Sequence, residues 1–307
     1  MKQRFWQTPA SGIILILLLA TLWEASVRLG FVRADALPAP SEIGRVFFDP
    51  ARSGELLRSY AKADARIRLI SRPNKGLTKS LNEGLQLARG EFIARMDSDD
   101  VSLPERFERQ VMYLRDHPDV AMVGSRVEFI DPDGFSINLK PGMTLTHEEI
   151  DSALMRKGWP VVHPAVMMRR DSVLDVGGYS EQFLTNQDHD LFLRLAEKYR
   201  LANLSDVLLQ YRQHFESISL AKSKLQGDMV EAILREAYER RGLMMPPGLL
   251  NSRPRAMTPL DHHRRWCWAA LSGGNLKTAR RHAAATFKQK PLSPQTWRMV
   301  YCALRGR

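Results

Sequence analysis

The stretch Glu91-Phe92-Ile93-Ala94-Arg95-Met96-Asp97-Ser98-Asp99-Asp100 decides how this chain is read. An apolar-rich run ends in a turn that holds three carboxylates, Asp97, Asp99 and Asp100. A strand that stops in an acidic turn presents oxygen ligands at the edge of a sheet. Hard divalent cations such as Mg2+ and Mn2+ seek such ligands. Mg2+ takes few carboxylates from protein and leaves the rest of its shell to phosphates and water. The turn therefore points to a metal that carries a phosphorylated substrate. The same residues also read as a solvated acidic turn, or as the N-cap of a helix that starts near Leu103-Pro104-Glu105, because carboxylates favour helix N-termini.

Outward from this turn the pattern is α/β. Ile67-Arg68-Leu69-Ile70 alternates as a strand does. Leu77, Leu81, Leu85 and Ala88 recur at helical spacing, so 77–89 reads as an amphipathic helix closed by Gly90. Pro104 opens a helix that runs to about Asp116. Val120–Val123 and Arg126–Ile130 read as two strands, followed by the turn Asp131-Pro132-Asp133-Gly134. Residues 146–157 and 188–200 read as helices, and Ala165–Met168 and Val207–Leu209 as short strands. After residue 221 the strands stop. Helices are expected over 222–241, 259–271, 275–288 and 293–305, with a linker at Met245–Pro259.

The chain has 307 residues, room for one large domain or two modest ones. Its 45 Lys and Arg against 34 Asp and Glu give a net charge of +11. That balance favours polyanions, anionic lipid or phosphorylated ligands. The basic residues are spread out and follow no zinc-finger, RNA-recognition or basic-zipper spacing, which argues against nucleic acid. The C-terminal part is notably basic and reads as a surface stripe near a membrane. The two cysteines, Cys267 and Cys302, have no metal-ligand spacing and indicate neither a zinc site nor a disulfide framework.

Residues 12–23 form an apolar run preceded by Lys2 and Arg4. As a helix this run spans roughly 18 Å, short of the ~30 Å hydrocarbon core of a bilayer. Extending it to Val32 takes in Glu24 and Arg28, which are costly near the bilayer centre and less so where they snorkel. A membrane helix, a signal segment and an interfacial or buried helix are all open readings. Lys2 and Arg4 favour a cytoplasmic N-terminus, so a single span would put residues 33–307 outside.

Over about residues 57–219 the chain resembles the family-2 glycosyltransferases, inverting enzymes of the GT-A fold. The resemblance rests on Arg66-Ile67-Arg68-Leu69-Ile70, on Asn74-Lys75-Gly76-Leu77 with Ser80-Leu81-Asn82, and on Ala88–Asp100. It continues through Pro104-Glu105-Arg106 with Gln110, His163-Pro164 with Arg169-Arg170, and Gly177-Gly178-Tyr179. It closes with Gln187-Asp188-His189-Asp190-Leu191 and Arg194, and Tyr211-Arg212 with His214. It implies a metal-dependent glycosyltransferase acting with inversion on a nucleotide-sugar donor and a glycan or lipid-linked acceptor hydroxyl. It implies that Asp97 and Asp99 hold Mn2+ or Mg2+ on the donor diphosphate. Asp100 is expected to cap the following helix. Asn74, Lys75 and Gly76 stand where the family's nucleotide-contacting turn lies, although Gly76 also reads as a left-handed turn residue. Asp188 matches the general base on the acceptor, with Gln187 where Glu is usual. Asp188 also reads as a carboxylate placed by the helix dipole, and Asp190 as structural. Arg212 is either a cation near the diphosphate or a surface charge. His163 is a contact for acceptor or phosphate, or structural.

Residues 1–57 resemble instead the start of permease subunits of ABC importers of the nitrate, sulfonate and taurine type, on Trp23-Glu24, Leu37–Glu42 and Ser53–Leu56. The family's opening strand and loop, which build the base and ribose pocket, have no match in residues 1–65. The expected fold is therefore an α/β, truncated GT-A sheet with an N-terminal hydrophobic helix and a C-terminal helical appendage. Its expected parts are a membrane or permease-like segment (1–56), the transferase domain (57–220) and a helical region (221–307). The expected setting is membrane-associated, with the catalytic part in the cytoplasm and a role in polysaccharide biosynthesis. The rival readings are a non-catalytic fusion remnant and an ABC permease fragment.

Overall fold

The computed structural model describes residues 50–139, 144–215, 223–249 and 257–306. The chain divides into two compact units, residues 1–74 and 75–307, a division inside the stretch expected as one transferase domain. The apolar run 12–23 lies outside the described residues. Among the described residues no helix is long and apolar enough to cross a membrane.

In the first unit, helix α1 spans Pro50–Ala63. The strand expected over Ile67–Ile70 does not form: this stretch belongs to no strand, and Ile67, Leu69 and Ile70 are exposed. Alternation supplies the side-chain pattern of a strand, but a strand exists only where a neighbour completes its ladder.

The second unit is built on a six-stranded mixed sheet. Helix α2 (Leu77–Leu87) leads into β1 (Phe92–Ala94), β2 (Val101–Ser102), α3 (Arg106–Asp116), β3 (Val120–Ile130) and β4 (Ser136–Leu139). There follow α4 (His147–Met155), a 3-10 turn (His163–Ala165), β5 (Met167–Arg169), α5 (Arg170–Asp175), α6 (Gln187–Lys198) and β6 (Arg200–Arg212). The strand order is β1-β5-β3-β6-β2, with β4 beside β3. β3 and β6 run parallel from Val120↔Arg200 to Ile130↔Arg212; the other pairings are antiparallel.

The two strands expected over 120–130 are one. Residues 120–125 are all buried, as in a parallel strand covered on both faces. Gly124 is required there, because a Cβ would collide with Asn203 Oδ1 of β6. Asn203 cannot retreat easily, since its amide donates to the carbonyls of Thr144 (2.8 Å) and Pro160 (3.2 Å).

The main core packs Met122, Met168, Leu154, Leu191 and Leu201 against Ile233 and Leu234 of α7 (Ser223–Arg240). Removing such a fully buried Leu to Ala costs about 2–5 kcal/mol. Arg106 is also fully buried. Its guanidinium donates to the carbonyls of Arg95 (2.6 Å) and Val166 (3.2 Å) and to Gln110 Oε1 (3.1 Å). Gln110 in turn donates to the carbonyls of Val123 and Ala165. This network ties α3 to the strand ends and fixes where β1 stops.

Helices α8 (Pro259–Ser272), α9 (Leu276–Gln289) and α10 (Pro294–Arg305) form a second core. Trp266, Cys267 and Met299 pack there with Ala270, Ala279, Ala283 and Ala303, and Ile137 of β4 joins them. Thr258 and Asp261 form a capping box that starts α8. Asn275 donates to Ser136 Oγ and the Ile137 carbonyl, both at 3.0 Å. The fully buried Asp131 takes the N–H groups of Asp133 and Phe135 on Oδ1 and lies 3.2 Å from His282 Nε2 of α9. The three helices are thus fastened to the β3–β4 turn by polar contacts as well as by Ile137.

Candidate active site

The acidic turn is set by the strands around it. After β1, Arg95 N–H donates to the Val166 carbonyl (3.1 Å). The chain then turns, with Asp100 N–H on the Asp97 carbonyl (3.4 Å), and rejoins the sheet as β2 against Leu209 and Gln210 of β6. Asp97 and Asp99 point their side chains outward, half-buried and exposed respectively, while Asp100 is buried. One oxygen from each of the three lies within 4.8 Å of the others.

Asp100 does not cap the following helix, which begins only at Arg106. Its Oδ1 accepts the Arg212 N–H at 2.9 Å. Its Oδ2 is buried without a hydrogen-bond partner among the described residues. Burial, reinforced by Asp99 and Asp97, pushes its pKa up to about 6 against the pull of the Arg212 N–H. Three hard oxygen donors, one of them orphaned and strained toward neutrality, suit a divalent cation. No zinc-type donor, thiolate or imidazole, belongs to this trio.

Arg95 is the residue that the sequence did not single out. It is nine-tenths buried, and its guanidinium grips both carboxylate oxygens of Asp97 at 2.5 Å. A cation at Asp97 therefore competes with a resident guanidinium. The spacing Arg95-Met96-Asp97 was its one visible signal, since residues two apart in extended chain share a side.

Asp188 stands in the first turn of α6, behind Asn186 in a left-handed conformation (φ 60°). Burial raises its pKa, opposed by the N–H groups of the helix start and by Arg95. Its Oδ2 lies 4.0 Å from Nδ1 of His163, whose Nε2 pairs with the Tyr179 hydroxyl at 2.8 Å. His163 is buried, and burial together with the nearby Arg95 charge holds its pKa well below the usual value, so it is neutral. Tyr179 is tied back to α2 by Asn82, which donates to the Tyr179 carbonyl (2.8 Å) and accepts its N–H (2.9 Å). Asp190 turns away from this group and pairs with Arg194 at 2.6 Å.

Arg212 does not project as a free cation. Its guanidinium donates to the carbonyls of Asp99 (2.8 Å), Pro132 (3.1 Å) and Asp131 (3.3 Å), and so staples the acidic turn to the β3–β4 turn. His214 Nε2 lies 3.0 Å from Asp99 Oδ2. Phe215 packs on His262, His263 and Trp266 of α8. Lys75 and Gly76 lie exposed ahead of α2, with Gly76 at φ 87°, a conformation reserved for glycine. Asn74 closes the first unit. The structure thus gathers Asp97, Asp99, Asp100, Arg95 and Arg212 at one sheet edge, with Asp188 and His163 within reach of the Arg95 charge.

A mixed α/β sheet with an acidic turn at its edge and a buried carboxylate beside it defines a class: a nucleotide-diphospho-sugar transferase fold of the GT-A kind. Residues 48–177 match the family model for Glycosyl transferase family 2. An amylovoran biosynthesis glycosyltransferase of Erwinia amylovora is 39% identical over 178 residues, which cover 56% of this chain and 65% of that protein. An O-antigen biosynthesis glycosyltransferase of Escherichia coli is 36% identical over 164 residues, covering 52% and 63%. The chain thus spans a little less than two thirds of the length of these relatives. Among solved structures, a mannosyltransferase of Pyrobaculum calidifontis, in complex with GDP-Man and Mn2+, is similar at 18% identity and a TM-score of 0.42, covering 82% of this chain and 67% of that one. The family match begins at residue 48, inside the stretch 1–57 that resembles the permease subunits. The permease likeness of residues 1–57 is not shown by these comparisons.

Proposed function

We propose that this chain transfers a sugar from a nucleotide-sugar donor to an acceptor hydroxyl, with inversion and with a divalent metal. The observation that carries this reading is the trio Asp97, Asp99 and Asp100, with oxygens within 4.8 Å of one another, on a stretch of family 2 sequence. Asp97 and Asp99, with Asp100 behind them, would hold Mn2+ or Mg2+. A cation bound there supplies positive charge against the negative charge that develops on the departing diphosphate. Asp188 takes the proton of the acceptor hydroxyl as that oxygen bonds to the anomeric carbon. The bond from that carbon to the diphosphate oxygen breaks on the opposite side, and the nucleoside diphosphate keeps its electron pair. The raised pKa of Asp188 makes it a better base than an exposed carboxylate. Neutral His163, held by Tyr179, keeps positive charge away from that proton.

Asn74, Lys75 and Gly76 contribute the nucleotide-side turn. Arg212 acts by holding the acidic turn in place, which replaces the expectation of direct contact with the diphosphate. The acceptor is a bacterial surface glycan or its lipid-linked precursor, on the strength of the relatives' names. The catalytic unit works where nucleotide sugars are made, in the cytoplasm at the inner membrane.

Manganese titration and nucleotide-sugar turnover, with wild type and Asp97→Asn/Asp99→Asn, test this reading. Loss of both manganese affinity and sugar release is expected; unchanged values in the double variant would refute it. A second reading, a non-catalytic remnant, is favoured by the exposed Ile67, Leu69 and Ile70, where a base-binding half-sheet would need a paired strand. Titration with UDP plus Mn2+ separates the two, since the remnant binds no UDP.

A further inference from the structure

The C-terminal three-helix unit exposes an apolar and aromatic face on α10, on which Trp297 also meets the Phe287 ring of α9 edge-on at 5.1 Å. On α10, Thr296, Met299 and Ala303 are buried. The opposite side exposes Trp297 (54%), Tyr301 (57%) and Leu304 (65%), three large apolar side chains at helical spacing. Arg298 and Arg305 share that exposed side. Arg305 lies over the Tyr301 ring at 5.4 Å, and Arg298 over the half-exposed Trp268 of α8 at 5.9 Å. The turn before α10 adds Leu292, 93% exposed.

Charge points the same way. Residues 258–306 hold nine Lys and Arg against Asp261 alone, so this unit supplies most of the chain's net +11. Aromatic and aliphatic tips set among arginines match the headgroup zone of a bilayer, where indole and phenol rings settle and guanidinium groups meet lipid phosphates. A protein partner of ordinary surface would leave so one-sided a charge unmatched.

We propose that the exposed face of α10, with Trp268 and Leu292 beside it, docks the protein on an anionic lipid bilayer. The arginines attract the leaflet electrostatically, at about fivefold in partition for each residue near the surface. Trp297, Tyr301 and Leu304 then enter the interface. This surface is distant in sequence from the apolar run at residues 12–23, and it does not depend on the proposed transferase chemistry.

The test uses the full chain with vesicles of phosphatidylcholine alone and with about 30% phosphatidylglycerol, a charged surface whose pull salt screens. Cosedimentation is expected with the anionic vesicles and should weaken at high salt. Trp297→Ser/Leu304→Ser and Arg298→Glu/Arg305→Glu should each lower partition at least tenfold with an unchanged circular dichroism spectrum. Hydrogen exchange supplies a local readout independent of residues 12–23: amides of 294–305 should slow when anionic vesicles are added. Unchanged exchange there, equal binding to neutral vesicles, or variants that bind like wild type would overturn the proposal. Binding to an acidic polysaccharide with no vesicle binding would also overturn it, and would mark the face as a polyanion site.

Discussion

Asp100→Asn is expected to make the metal-free protein more stable at alkaline pH and to leave it nearly unchanged under mild acid. Asp100 is only 8% exposed and gives Oδ1 to the Arg212 N–H. Burial moves its pKa from the ordinary 3.8 to about 6. At ~1.4 kcal/mol for each tenfold change in proton affinity, keeping this group charged in the fold costs about 3 kcal/mol once both states are ionised. The sign follows from proton counting. Between the two pKa values the folded chain binds more protons than the unfolded one, so stability falls as pH rises and the full cost is reached above the folded pKa. Asn keeps the acceptor for Arg212 and removes the charge. Its buried amide nitrogen lacks a partner, which costs about 1–2 kcal/mol. The net gain is then about 1–2 kcal/mol near pH 8 and close to zero near pH 5, where the wild-type cost is itself about half of its full value. Urea denaturation in EDTA at the two pH values, followed by tryptophan fluorescence, measures both. A variant equally destabilised at the two values would show that the carboxylate is not held against its charge and would refute the reasoning. Added Mn2+ should reverse the order, stabilising wild type more than the variant.

Other outcomes follow from the same geometry. Asp188→Asn should lower turnover by about 10²- to 10⁴-fold while manganese affinity, read by titration, stays within about twofold, because the trio is intact. Asp131→Ala should destabilise the fold by about 3–5 kcal/mol in chemical denaturation, since it strands two turn N–H groups and the buried His282. Burial pushes the Asp131 pKa up, but His282, the Phe135 N–H and Arg281 outweigh it and hold the carboxyl below the usual carboxylate value. Its contribution is therefore present above the unfolded pKa and is lost as pH falls through the folded one, which a pH series of the wild type checks. Gly124→Ala should cost about 1–3 kcal/mol, with the loss reduced by pairing it with Asn203→Ala, read from denaturation midpoints.

Much of the architecture was legible because periodic helices declare themselves. The four C-terminal helices fall within two residues of their expected limits, and Asp131–Gly134 turns as its composition requires. Strands were harder. Gly124-Ser125 reads as a break between two short strands, whereas a register shift at Ser125/Arg126 absorbs the irregularity and keeps β3 whole. The polar residues Asn203, Ser205 and Asp206 hid the first half of β6, because the partners of Asn203 lie in distant loops that no local pattern reveals. At the site, the carboxylates were visible as a cluster in sequence. The Arg95 grip on Asp97 and the Asn82–Tyr179–His163 chain were not. The Asn82–Tyr179–His163 chain joins residues far apart in sequence, and the Arg95–Asp97 pair, though only two residues apart, depends on a side-chain geometry that sequence does not give. Arg212 was read either as a cation near the diphosphate or as a surface charge, from the family's Tyr211-Arg212 pattern; its carbonyl partners come from two separate turns.

The end of β6 has a mechanical implication. Just past it, the consecutive residues His214 and Phe215 set an imidazole on Asp99 and a phenyl ring among the aromatics of α8. Any tilt of the helical unit must drag Phe215, and with it His214, against the outermost carboxylate of the trio. The strand end therefore behaves as a lever arm, and load applied to the helices is registered as a displacement of a single oxygen atom at the sheet's edge.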